Sequence, residues 1–439
     1  MNSEKPTDNS DVIREHDLVS SSSPALEGLE GIRYRLRGGS TKQKVDALLE
    51  AFQYGHKGID LVIQALGDDV REVRESALLL LSYSSEATAE QAILNYLPFA
   101  KMQCLHTLTE FNLDCYKPEQ HHPYYFAIAD YNNTLICYWD LYYKQSFVNI
   151  WHLETGQSKK NFDLAMAHEF GLGKSGKVCI ISFQDFLWPL DTETQEPIGT
   201  YPDYLMRPVQ THPHCLTVCP TKQPLVATGY TQGSTQGSTA KLDIWDYETY
   251  TRRLHHQFQD VALIPYDNSW NQSKLNLWLT TPLLFTPDGK FLVARFKQRL
   301  QNRLQLWNTE TGELIQTLDN LPAMTVNGLA NRFDGQILAC GIRENKVCVW
   351  ELISDRILYT SAGVAPCLMS SDGRVLIYCT DNYEIVVWDL AMNRQLCILQ
   401  GHTAPIAYVA MSSDRNFIAS YSIDRTIKIW GVPESLKYL

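Results

Sequence analysis

The residue types best suited to chemistry stand in three short stretches. "THPHCLTVC" at 211–219 gathers His212, His214, Cys215 and Cys219, and imidazole and thiolate are the ligands that tetrahedral zinc prefers. If 215–219 is a strand, Cys215 and Cys219 share a face, which is also how the packed thiols of an inner strand are placed. "GLGKSGK" at 171–177 has the glycines and lysine of a phosphate loop. The signature needs a glycine where His168 stands and a helix where "VCIISF" reads as a strand, so the residues favour a hairpin turn. "RFKQRLQNR" at 295–303 concentrates Arg295, Lys297, Arg299 and Arg303, a local positive field that suits a carboxylate-bearing partner. Paired catalytic carboxylates, a calcium loop and a nucleophile elbow do not stand out.

The bulk properties narrow what such residues can serve. Of 439 residues, 38 are Lys or Arg and 49 Asp or Glu, giving a net charge of -11, which opposes non-specific nucleic-acid binding. The hydrophobic fraction of 44% is that of a chain with a sizeable core. Eleven cysteines, an odd number without framework spacing, read as reduced thiols. The N-terminus has no apolar targeting core and no window is apolar enough to span a bilayer, so a cytoplasmic location without membrane insertion is expected. No cofactor is expected.

Along the chain, residues 1–25 are polar, end in a serine run and read as a disordered tail. From 26 to 100 the apolar period is helical: Val45, Leu48, Leu49 and Phe52 form one stripe, and Val70, Val73, Ala77, Leu80 and Leu81 another. Asp68 or Asp69 is placed to cap the second of these helices. "GIDLVIQALGDDVREVRESALLLLS", with its Leu-rich first helix, Asp turn and "VR..A...L" second helix, resembles a HEAT or armadillo repeat. With the segment before it, it also resembles the helical N-terminal module of cyanobacterial tetrapyrrole-binding regulators. That resemblance implies a docking or spacer element.

Beyond residue 102 short alternating strands take over. "FTPDGKFLVA", "NRFDGQILAC", "SSDGRVLIYC" and "SSDRNFIASY" each set an Asp turn before a strand, and Asp334, Asp372 and Asp414 each precede a tryptophan, Trp350, Trp388 and Trp430, by 16 residues. Upstream, Trp151, Trp245 and Trp307 end comparable strands. "PLDTETQ" aligns with "LWNTETG", so that Leu190 takes the tryptophan's place and Trp188 shares its face. Seven anchors, at 151, 190, 245, 307, 350, 388 and 430, resemble WD40 repeats, including likeness to cyanobacterial WD-repeat proteins. The fold implied is mainly β: a seven-bladed WD40-type propeller over 103–439 preceded by the small helical segment.

In that family a fourth, outer strand follows the tryptophan, and after Trp430 no sequence for one remains. "CLHTLTE" at 104–110 matches the outer strand "LIQTLDN" at 314–320. The segment 103–110 is therefore expected to close blade seven. The family's hydrogen-bonded tetrad is complete in the last repeat alone: His402, Ser420 in preference to Ser422, Asp424 and Trp430. Its His, Ser and Asp are the residue types of a hydrolase triad, but the indole partner and the family position imply a structural role.

Strand direction alone puts the b–c turn and the d–a link of every blade on one face, and the long connections of blades one to four belong to those two classes. They carry Tyr142, Tyr143, Tyr201, Tyr204, Tyr266 and Trp270 beside the basic run, aromatic and arginine residues being those enriched at interface hot spots. The expected function is a non-catalytic scaffold that docks a protein or peptide, acidic in character, on this face. The alternatives are an enzyme or a small-ligand or metal binder using the channel mouth or the His212, His214, Cys215 and Cys219 cluster, and loops that merely decorate the surface.

Overall fold

The period-two alternation beyond residue 102 is built into seven small antiparallel sheets, the blades of a seven-bladed β-propeller. The structure, a computed structural model, describes residues 28–436 apart from 110–122, 124, 131–132, 141–145, 164–168, 174–175, 184–185, 195, 199–214, 233–238, 260–261, 264–282, 299–300, 320–325, 333–334 and 344. The chain divides into two units between Glu90 and Gln91.

In the first unit, α1 (Leu29–Gly38) packs on α2 (Thr41–Gln53), which in turn packs on α3 (His56–Gln64) and α4 (Arg71–Ser82); α5 (Ala87–Tyr96) runs across the division. Ser40 and Gln43 form a capping box that starts α2: the Ser40 N–H donates to Gln43 Oε1 at 2.9 Å and the Gln43 N–H to Ser40 Oγ at 3.4 Å. The buried stripe of α2 passes through Ala47, Leu48 and Ala51, and Leu49 lies off it at 51% exposure. Asp68 does not cap α4 itself. Its Oδ1 accepts from the N–H of Val70, the residue at the N-cap, at 2.8 Å, and its Oδ2 takes Lys44 Nζ at 2.7 Å. α3 crosses the end of α2 so closely that a Cβ on Gly58 would meet the Ala51 carbonyl oxygen.

Among the described residues, each blade but the second is a set of strands a to d. Blade one runs a Tyr125–Ala129, b Thr134–Asp140, c Ser146–His152, d Ser158–Asp163. Blade three, Cys215–Val218 to Thr251–Gln259, blade five, Gly328–Asn331 to Arg356–Ala362, and blade six, Val364–Met369 to Arg394–Leu399, repeat the plan. Blade four has b Phe291–Gln298, c Gln301–Asn308 and d Leu314–Leu318; on its inner side two short strands, Ala262–Leu263 and Leu283–Phe285, both pair with b. Blade seven has a Ile406–Met411, b Phe417–Ser422 and c Ile427–Gly431. Its fourth strand is Gln103–Leu108, antiparallel to c.

The core lies between neighbouring blades. At the ring's seam, Trp139, Phe147 and Trp151 of blade one pack with Ala407, Phe417, Tyr421 and Ile429 of blade seven, with Trp139 edge-on to Tyr421 at 5.8 Å. The Ser413 N–H donates to Asp130 Oδ1 across the same seam at 2.8 Å.

Blade two, with a Glu169–Gly173, b Val178–Phe183 and c Phe186–Asp191, has three strands among the described residues. Leu190 there stands opposite Cys179, as Trp307 stands opposite Leu292. The Asp191 N–H donates to the Glu196 carbonyl at 3.0 Å, the bond that His152 makes to Gln157 and Asn308 to Glu313, each at 2.9 Å. Leu190 also packs into the core shared with blade one, just as Trp307 packs into the core shared with blade three. Leu190→Ala is accordingly expected to cost about 2–4 kcal/mol as a core truncation, and Trp188→Phe, at a half-buried position, less than about 1.5 kcal/mol. Urea unfolding of the two variants checks the ranking, and a costlier Trp188→Phe would show that the anchor is Trp188.

Candidate functional site

The densest polar constellation among the described residues is the tetrad of blade seven. Gly401, at φ 141, turns the chain before strand a so that His402 enters the blade. Strand b supplies Ser420, the b–c turn Asp424, and strand c Trp430. The Trp430 indole N–H donates to Ser420 Oγ at 2.9 Å, Ser420 Oγ meets His402 Nε2 at 2.8 Å, and His402 Nδ1 meets Asp424 Oδ2 at 2.9 Å. A carboxylate accepts only, so Nδ1 carries the proton, Nε2 is the acceptor, and the serine hydroxyl donates to it. The imidazole is neutral, and burial lowers its pKa despite Asp424.

Asp424 is lowered too. Burial, which alone would raise it, is outweighed by bonds from the Thr426 hydroxyl, the Thr403 N–H and His402. Thr426 is a fifth member that sequence reasoning missed: its hydroxyl lies 2.7 Å from Asp424 Oδ1 and 3.2 Å from His402 Nδ1. Its signal was the hydroxyl two residues after the turn aspartate. Ser422, the alternative serine, donates instead to the Ala404 carbonyl at 2.8 Å.

The order of donors matches a hydrolytic triad, but the setting does not serve one. Ser420 is 0% exposed and its oxygen already accepts the indole N–H, so no electrophile can reach it. The set cross-braces four segments of one blade. Elsewhere the indole Nε1 atoms of Trp245, Trp307, Trp350 and Trp388 are buried with no hydrogen-bond partner among the described residues.

The other sequence-derived residues scatter. His212 and His214 lie outside the described residues. Cys215 and Cys219 are buried in the core between blades three and four, where burial pushes the Cys219 thiol up. Among the described residues no group of three or more His, Cys, Asp or Glu could hold a metal. "GLGKSGK" runs from strand a to strand b of blade two with no helix after it, and a Cβ on Gly176, at φ 96, would strike Ala129 of blade one. Tyr142, Tyr143, Tyr201, Tyr204, Tyr266, Trp270 and Arg299 lie outside the described residues.

Within the basic run, Lys297 is on strand b opposite Ala262, and Arg303, on strand c, pairs with Asp319 at 2.6 Å. Arg295 departs from the expectation of a surface patch. It is 5% exposed, because strand b lies between strands a and c and between two neighbouring blades, leaving neither of its faces to solvent.

Comparison with known proteins agrees with this architecture. The family described as WD domain, G-beta repeat matches residues 393–431, which span strands d of blade six to c of blade seven and include the tetrad. The chain is similar to the periodic tryptophan protein 2 homolog of Dictyostelium discoideum, 25% identical over 204 residues, 44% of this chain and 20% of that protein. It is also similar to the LEC14B protein of Lithospermum erythrorhizon, 26% identical over 198 residues, 39% of this chain and 42% of that protein. A guanine nucleotide-binding protein subunit beta of Zea mays is 26% identical over 166 residues, 34% of this chain and 43% of that protein. The chain thus spans between a fifth and under a half of the length of these relatives. The fold is a seven-bladed β-propeller, with a WD-repeat match in its last repeat and similarity to WD-repeat proteins. Among the described residues five α-helices precede the propeller. No helix among the described residues is long and apolar enough to cross a membrane.

Proposed function

We propose that this chain is a non-catalytic scaffold whose propeller docks a protein partner. The observation that carries the reading is the tetrad: among the described residues, the one complete set of groups able to do chemistry is sealed inside a blade and spent on bracing it. A ring so braced is a rigid frame for loops, and binding residues are typically carried on loops held by such a frame. The relatives support it at the level of their names, one being a subunit of a larger assembly.

The docking face we propose is the b–c and d–a side of blades one to four, with Tyr142, Tyr143, Tyr201, Tyr204, Tyr266 and Trp270 as anchors and Lys297, Arg299 and Arg303 as a charged rim. Support comes from connection length: the chain passes from Leu108 to Tyr125 between strand d of blade seven and strand a of blade one, and from Leu263 to Leu283 between two strands that both pair with strand b of blade four, whereas the d–a links into blades six and seven are as short as Ala362 to Val364 and Leu399 to Ile406. An acidic peptide segment suits the basic run, and the helical segment, HEAT-like in sequence, is a second docking element. Trp270→Ala is expected to weaken partner binding by about 2 kcal/mol or more, and Arg299→Glu to slow association and flatten its salt dependence. Surface plasmon resonance with the partner recovered from native cells, at two salt concentrations, checks both. Unchanged rate constants, with binding abolished by changes in α3 or α4, would move the docking surface to the helices.

A further inference from the structure

Among the described residues the buried cations are paired, with one exception. Arg374 is held by Asp389 at 2.8 Å, and Arg415, nearly as enclosed, pairs with Asp372. The Arg295 side chain makes no hydrogen bond or ion pair to any described residue, and its Nε and Nη1 atoms are buried. It stands opposite Leu304 in blade four and alternates with Val293, both of which belong to the core shared with blade five.

The fold does not require a cation there. Three residues past the strand b residue that faces each anchor, the other six blades carry Tyr138, Ser182, Gly229, Ile342, Cys379 and Tyr421. A guanidinium out of water without a counter-charge destabilises the protein that carries it, and it does not escape by losing its proton. Burial lowers Arg295 to about 10, which leaves it charged at neutral pH.

We infer that Arg295 is the receptor of an oxyanion-binding site between blades four and five, near the b–c end of strand b. The occupant is a carboxylate or phosphate group. The planar guanidinium fork offers two parallel N–H donors matched to two oxygens of such a group, and the enclosing apolar side chains strengthen the attraction by excluding water. The group arrives either as a free small anion or on an acidic peptide. This site is enclosed between blades, beneath the same b–c side of blade four that the docking surface proposed above uses, and its test needs no partner.

The experiment is thermal unfolding and calorimetry of the full chain at constant ionic strength, with chloride alone, with inorganic phosphate or acetate, and with hexaglutamate. The wild type is expected to gain roughly 2–4 °C in midpoint, saturably, with phosphate or acetate, and Arg295→Met is expected to be at least as stable in chloride and to gain nothing. Saturation by hexaglutamate at a concentration at least about tenfold lower than acetate marks a peptide carboxylate as the occupant; equal or weaker response marks a free anion. If Arg295→Met does not fold, Arg295→Lys is read instead, and its phosphate affinity should fall about tenfold or more because the fork is gone. A wild type indifferent to every anion overturns the site. A loss of stability by Arg295→Met in chloride would then assign the counter-charge to the chain itself.

Discussion

Removing residues 1–108 is expected to abolish the cooperative unfolding of the propeller, whereas removing residues 1–90 leaves it. What separates the two is residues 91–108, and within them the strand Gln103–Leu108 pairs with Ile427–Gly431 from Gln103 opposite Gly431 to Leu108 opposite Ile427. Without it strand c of blade seven becomes a sheet edge, and an unpaired edge is a template for aggregation. The cost does not stop at one ladder. Leu105 and Leu108 pack against the core that joins blade seven to blade one, and the His106 ring reaches the Glu154 carbonyl of blade one at 2.7 Å. Ring closure is a long-range event whose entropy must be met by contacts made together at the seam, so losing the strand that completes it weakens every blade's hold on its neighbours. Calorimetry and light scattering of the two truncations check this: a single sharp transition for the shorter deletion, and aggregation or no transition for the longer. Equal transitions for both would mean that the three remaining strands of blade seven close the ring unaided.

The propeller is legible in the sequence because a blade is a local object. An a–b turn of fixed length, a strand that fills the blade and an aromatic anchor recur at a spacing that hairpin geometry dictates, so Trp350, Trp388 and Trp430 are found by counting. Leu190 is found the same way, from "DTET" against "NTET": Asp191 and Asn308 each accept two turn N–H groups at 2.8–2.9 Å, so the turn chemistry survives where the tryptophan does not. What local counting misses is which positions are enclosed by neighbours far away in the chain. "RFKQRLQNR" reads as a solvated patch by its charges, yet Arg295 is buried because strand b is covered on both faces by other blades. Leu49 fails in the opposite sense: it is as apolar as Leu48 but lies outside the arc of α2 that the other helices cover. Within the tetrad, His402, Ser420, Asp424 and Trp430 stand out by spacing, whereas Thr426 is one hydroxyl among many until the fold brings it to Asp424.

Trp430→Ala is expected to cost about 3–5 kcal/mol, the range for truncating a large buried aromatic side chain. Two effects add: the indole leaves a cavity beside His402, whose ring centroid lies 6.3 Å from its own, and Ser420 loses a donor in a site that water does not reach. A pair of milder variants separates them. Trp430→Phe loses the hydrogen bond to Ser420, while Trp350→Phe loses none to a described residue, so the former should be the more destabilising by about 1 kcal/mol. Equal costs would show that the tetrad's hydrogen bond adds nothing net. The histidine makes the same bracing pH-dependent, with a sign that follows from its lowered pKa. Below about pH 6.5 the unfolded chain takes up a proton at His402 that the folded chain refuses, because burial disfavours the charged ring and protonation would also place a donor on Nε2 where the Ser420 hydroxyl donates. Stability from this group is therefore full above that pH and lost as pH falls toward the folded value. Asp424, also lowered, extends the loss further into acid as its carboxylate begins to protonate. Urea titrations between pH 7.5 and 5 should give a falling unfolding free energy for the wild type and a flatter profile for His402→Asn. An identical slope in both would place the acid sensitivity outside blade seven.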